Sequence, residues 1–202
     1  MNPIDITPLM RMRPSRPPAS AHSAGFTLIE LKITLVVTGI MLAIGLPAFS
    51  SMTQNSKLSG QVDELNSMLN YARNAALSQN SPVQVCPVGA NGSTTCGSNW
   101  ATGWMVVTAP TNGTTPVLLQ SHTIVPTTIT LAVSSTIVTP NWIVFDPHGL
   151  TTNTANFAFC DSRGEAYART AYLVSTGAVQ TAKAGIAAWS GTAVATTVCS
   201  TP

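Results

Sequence analysis

Three sets of side chains in this sequence could do chemistry: four cysteines, the histidines His122 and His148 with Asp146 beside one of them, and a glutamate set among apolar residues. Cys86, Cys96, Cys160 and Cys199 are even in number, and four cysteines allow three pairings. Cys86 and Cys96 are near neighbours that bracket a Gly/Asn/Ser/Thr loop, so we pair them. Cys160 is then left to pair with Cys199, which fastens the C-terminal tail to the body. Zinc is the rival use of four thiolates, but there is no C-x2-C pair and the spacings are irregular. Asp146 and His148 flank a turn without a nucleophile motif such as G-x-S-x-G, and His122 is solitary. Neither histidine has a third metal ligand at a sensible spacing. No catalysis, cofactor or metal is expected. Glu30 is the remaining case, because a carboxylate in hydrocarbon is costly unless it is paired.

The elements that carry these residues follow from composition and patterning. The chain has 202 residues, enough for one domain or a domain plus an extension. Only 8% are charged and 45% are apolar, against roughly 25% charged in ordinary soluble proteins. The formal net charge is +2 and the pI about 8.4, with no basic stripe, so composition does not support DNA binding. Residues 1–25 hold Arg11, Arg13, Arg16 and Asp5 among five prolines, and they read as a disordered leader. Residues 33–49 then carry no charge. Phe26 to Phe49 is 24 residues, roughly 36 Å of helix against a hydrocarbon core of about 30 Å. One membrane pass is expected. The arginines before it keep the N-terminal side in the cytoplasm and export the rest, which suits an even set of cysteines.

Two cleavable export signals would give different mature chains. An ordinary secretory signal would be cut after Ala48, where Leu46 and Pro47 make a poor site. The alternative cuts before the apolar run, between Gly25 and Phe26. Gly25-Phe26-Thr27-Leu28-Ile29-Glu30-Leu31 resembles, nearly letter for letter, the processing motif of bacterial type IV prepilins and type II secretion pseudopilins. The resemblance implies that a prepilin peptidase cuts after Gly25 and methylates the new amino group of Phe26. Losing 25 of the 202 residues leaves 177, with six basic and six acidic side chains and no net charge. It also implies that Glu30 meets the N-terminal amine of a neighbouring subunit during filament assembly. Lys32 departs from the family, which usually has an apolar residue there. Its long stem must carry the ammonium to the interface. Gly39 and Pro47 fall where many pilins carry helix-weakening residues, although both types are common in membrane helices.

Beyond the membrane run, Leu58, Val62, Leu65, Leu69, Ala72 and Ala76 alternate spacings of four and three and form one apolar stripe, with Asp63, Glu64, Asn66, Asn70 and Arg73 off it. Gln79-Asn80-Ser81-Pro82 ends this helix. The passage from Leu69 to Pro87, with its Ala72-Arg73 pair and its strand closing on Cys86-Pro87, resembles the GspH/FimT group of minor pilins and pseudopilins. An acidic residue common after the Arg is absent. Trp100 to Trp104, Phe145 to Gly149 and Phe159 to Gly164 are similar to later parts of that group, so the resemblance spans residues 25 to about 182. Some FimT-like proteins are associated with DNA uptake through a Gly-Arg-x-Arg run, but the matching Gly177-Ala178-Val179-Gln180 lacks both arginines. Arg163, Arg169 and Lys183 could still touch phosphates. Nucleic-acid binding is therefore possible but not favoured.

Apolar runs at 83–86, 104–108, 117–119, 128–133, 142–145, 157–160, 171–174 and 178–181, separated by turn residues, read as strands. Asn112-Gly113 is a hairpin candidate. It and Asn91-Gly92 explain two glycosylation-like triplets as turns. The expected fold is α+β: a long N-terminal helix, half membrane and half amphipathic, packed on an antiparallel β-sheet head of one or two sheets. The divisions are a cleaved leader at 1–25, a membrane or filament-core helix at 26–49, its amphipathic continuation at 50–80 and the head at 81–202. The resemblance implies a minor type IV pilin, anchored in the bacterial inner membrane with its head in the periplasm. Its partners would be prepilin peptidase and other pilins, in a filament serving adhesion, twitching or DNA uptake. A pseudopilin of type II secretion and a non-polymerising periplasmic binding module are the alternatives.

Overall fold

The computed structural model describes residues 25–199 apart from 90–92, 111–114, 124–127, 136–140, 152 and 196, so the expected leader before Gly25 and both Asn-Gly turns lie outside the described residues. Leu28–Gln79 is one α-helix of 52 residues, α1. It ends where the Asn-Ser-Pro sequence stops it, with Asn80 turning to φ +47°. The chain divides into two compact units, Met1–Gly45 and Leu46–Pro202.

In the first unit the described residues are the start of α1 and the three residues before it. Two threonines here are satisfied within the helix. Thr34 donates its hydroxyl to the Leu31 carbonyl at 2.9 Å and Thr38 to the Thr34 carbonyl at 2.7 Å. This back-bonding gives both hydroxyl protons an acceptor inside the helix.

The second unit holds the rest of α1 and eight strands. These are β1 Val83–Pro87, β2 Gly103–Thr108, β3 Leu118–Thr123, β4 Thr130–Ser135, β5 Ile143–Phe145, β6 Ala155–Cys160, β7 Arg169–Leu173 and β8 Val179–Thr181. They form two antiparallel four-stranded sheets, β3-β2-β1-β5 and β4-β6-β7-β8. Every apolar run read from the sequence contributes to one strand. All six residues of the α1 stripe are buried, and Met68 and Ala75 widen it. The stripe packs on Val83, Val85, Trp104, Val106, Ile143 and Phe145 of the first sheet, and on Leu131, Phe157, Phe159 and Leu173 of the second.

Because alternate residues face opposite sides of a sheet, each sheet has an outer face that also needs covering. Met105 and Val107 of β2, with Cys86, form a small cluster under Val88 and Cys96 on the first sheet. On the second, Ala158, Cys160 and Ala168 meet Ala187, Val194, Trp189 and Val198 of the tail. Thr170, fully buried on β7, donates its hydroxyl to the Ile186 carbonyl at 2.7 Å and accepts from the Ala188 N–H at 3.0 Å. Disulfides Cys86–Cys96 and Cys160–Cys199 join one cover to each sheet.

Chain-entropy reasoning ranks the two bridges by the loops they close, 10 and 39 residues apart in sequence. Opening them should cost about 3 and about 4 kcal/mol respectively. In urea unfolding, replacing both Cys160 and Cys199 by Ser is expected to lower the midpoint more than replacing Cys86 and Cys96.

Candidate functional site

The first candidate lies at the start of α1. Thr27 precedes the helix, and its hydroxyl oxygen accepts the Glu30 N–H at 3.3 Å while its carbonyl accepts the Leu31 N–H at 3.1 Å. Thr27-x-x-Glu30 is the sequence pattern of a helix N-terminal capping box. The residue types and their spacing of three carry that signal in the sequence itself. Glu30 is thus fixed in the first helical turn, where the backbone dipole favours a carboxylate. Among the described residues neither Glu30 nor Lys32 has an ion-pair partner. Phe26 is 81% exposed, and Leu28, Ile29, Leu31 and Ile33 are exposed around it. The arrangement presents one carboxylate on an otherwise apolar surface.

The second candidate is the cation set Arg163, Arg169 and Lys183, and the structure gives the three different surroundings. Arg163 is spent on Asp161: Nη2 donates to Oδ2 at 2.6 Å, and Nε lies 3.0 and 3.2 Å from the two carboxylate oxygens. The backbone N–H of Arg163 adds a further bond to Oδ1 at 2.9 Å. The side chains are only 16% and 7% exposed. The guanidinium also lies 4.3 Å over the Tyr167 ring, and Nη1 donates to the Ser51 carbonyl of α1 at 3.4 Å. Burial pushes the Asp161 carboxyl up, and its contacts with Arg163 outweigh that and hold it below the ordinary carboxylate range. A guanidinium so paired offers little charge to a phosphate. Arg169 is half-buried on β7, and its Nε is buried with no hydrogen-bond partner among the described residues. Lys183 is exposed.

The histidines differ from one another. His122 is not solitary, as the sequence suggested. The β2–β3 register sets it opposite Trp104, with ring centroids 4.9 Å apart, and its Nδ1 lies 3.5 Å from Glu64 Oε1 on α1. Residues so far apart in the chain meet only through tertiary packing. His148 is exposed on its turn, where Asp146 Oδ1 accepts the N–H groups of His148 at 2.8 Å and Leu150 at 2.9 Å. The Leu150 bond above all lowers the Asp146 carboxyl below its usual range. Arg73 anchors this turn to α1, with Nε donating to the Gly149 carbonyl at 3.0 Å. Gly177, at φ +76°, passes so close that an added Cβ would meet the Gly149 carbonyl oxygen. No group of three or more His, Cys, Asp or Glu able to hold a metal occurs among the described residues.

With this geometry in place, comparison with known proteins is informative. The profile described as "Type II transport protein GspH" matches residues 61–177, from the amphipathic half of α1 to the turn before β8. The chain belongs to the GspH family. The Type IV narrow pilus major component PilA5 of Thermus thermophilus is 37% identical over 82 residues, which is 39% of this chain and 70% of that protein. The crystal structure of the type IV minor pilin FimU of Pseudomonas aeruginosa superimposes with a TM-score of 0.53 at 21% identity, covering 67% of this chain and 96% of FimU. That likeness is one of fold. The prepilin-like motif at Gly25 lies outside the GspH match, as does the tail segment after residue 177.

The Asp161–Arg163 pair gives a pH test. A carboxyl held below its unfolded value stabilises the fold above that value, and the contribution fades as pH falls through the lowered one. Asp161→Asn is expected to cost about 1–3 kcal/mol at pH 7. In urea unfolding at decreasing pH, the gap between variant and parent should narrow only below about pH 4.

Proposed function

We propose that this GspH-family chain is a minor type IV pilin whose first 25 residues are removed by prepilin peptidase, leaving an N-methylated Phe26. The observation that carries the reading is the bare surface of α1. Among the described residues, fifteen large apolar side chains from Phe26 to Met52 are exposed. At about 1.5 kcal/mol or more for each side chain left in water, the sum is of order 20 kcal/mol, above the 5–15 kcal/mol that holds a typical domain folded. Such a surface must be covered. Among the described residues α1 is long and apolar enough to cross a membrane, so lipid covers it before assembly and the helices of sister subunits cover it afterwards. Glu30 then takes the cationic terminal amine of a neighbouring subunit as its partner, which removes the cost of a lone buried carboxylate.

The pilus is favoured over the short filament of type II secretion by the pilus relatives PilA5 and FimU. The description of the matching family profile keeps secretion as the second reading. Either filament places the head outside the cytoplasm, where its disulfides form. A monomeric binding head would use the Glu30 carboxylate only at the start of its own helix, and would keep its function without it.

N-terminal sequencing and mass measurement of the native protein are expected to give N-methyl-Phe26. A start at Met1 or Phe49 would overturn the processing step. Glu30→Ala should leave the chain in the membrane fraction and reduce its recovery in sheared pili at least tenfold; unchanged recovery would sink the assembly reading. Loss of surface pili on deletion supports the pilus. Loss of protein secretion with normal pili supports the second reading.

A further inference from the structure

The β6–β7 loop reaches α1 at an unexpected level. The apolar run of the helix ends at Phe49, and Ser51, whose carbonyl receives Arg163 Nη1, is only two residues further on. At about 1.5 Å per residue that is about 3 Å along the axis. A stretch of roughly 36 Å spans a hydrocarbon core of about 30 Å with little to spare, and the headgroup layers add about 5–7 Å on each side. Ser51, and the loop bonded to it, therefore lie at headgroup depth when the helix is in a bilayer.

The side chains at this level suit that position. Tyr167 is 43% exposed beneath the Arg163 guanidinium, and a phenol is an aromatic ring with a polar tip of the kind that collects at membrane interfaces. A small cavity of about 130 Å³ opens beside the loop, lined by Gln54 and Lys57 of α1 and by Asp161 and Ser162. Lys57 is exposed and has no ion-pair partner among the described residues, where Oε1 of Gln54 is buried and has no donor. The Asp161–Arg163 pair is internally neutral, and Glu165 balances Lys57. The rim thus offers a donor and acceptors with no net charge, which complements a zwitterionic surface of phosphate and ammonium groups better than an anionic one.

We propose that this rim, formed by Gln54, Lys57 and the loop from Asp161 to Tyr167, rests on the lipid surface and engages zwitterionic headgroups before filament assembly. The proposal depends on the membrane-spanning role given above to residues 26–49, and the test separates the two. The full chain is reconstituted in phosphatidylethanolamine/phosphatidylcholine vesicles carrying a nitroxide on the headgroup. Tryptophan quenching is then read as the difference between each variant and the parent. Tyr167→Trp is compared with Met52→Trp, one residue beyond Ser51, and with Tyr71→Trp, about 30 Å further along α1. Quenching at 167 close to that at 52, and at least twofold above that at 71, is expected. A chain that resists alkaline extraction yet shows quenching at 167 no greater than at 71 overturns the headgroup contact alone. A chain that alkaline extraction removes overturns the membrane reading and this proposal with it.

Discussion

One helix must satisfy two surroundings, and the rest of the structure depends on how its surface changes along its length. Up to about residue 52 the side chains of α1 are apolar all round and uncovered; from Leu58 onward they are apolar on one stripe only, and that stripe is buried. A helix hydrophobic on every side needs lipid or other helices, whereas a striped one needs a single packed face. α1 continues through the change, with Pro47 inside it a few residues earlier. The change is written in side chains, as three serines, one threonine, Gln54, Asn55 and Lys57 replace Leu, Ile and Val between residues 50 and 57.

The head then has the problem of any pair of sheets with a helix on one side: inner faces are covered by α1, and outer faces are left over. Here part of each outer face is covered by a segment tied down by a disulfide. Strands such as β1 and β2, buried along nearly all their length, have little use for charge. This accounts for an unusual composition, with only six charged residues from position 83 onward. Solubility of the head falls to Thr, Ser and Asn, and specific anchoring falls to a few polar contacts such as Thr170 on the tail and Arg73 on the Asp146 turn.

The helix stripe, its end before Pro82 and the strand positions were legible because they rest on periodicity and punctuation, which are local. The division into two sheets was left open, because alternation along one strand does not say which partner it pairs with. The site was legible in part. The motif around Gly25 and Glu30 stood out by residue type and spacing, although the Thr27 cap within it was overlooked. The contacts of Arg163 were beyond the sequence: Asp161 is two residues away, but Ser51 is 112 residues away and Tyr167 meets the guanidinium only because of the intervening helical turn. His122 failed for the same reason, its neighbours Glu64 and Trp104 being supplied by α1 and β2.

The tail over β6 and β7 also carries information about time. Cys199 follows every strand of the head, and its partner Cys160 closes β6. Translation delivers all the described strands before the second member of this pair exists, so the covalent tie over the outer side of the second sheet comes after them. The bolt on that door can be thrown only after the eight strands it helps to hold have been made.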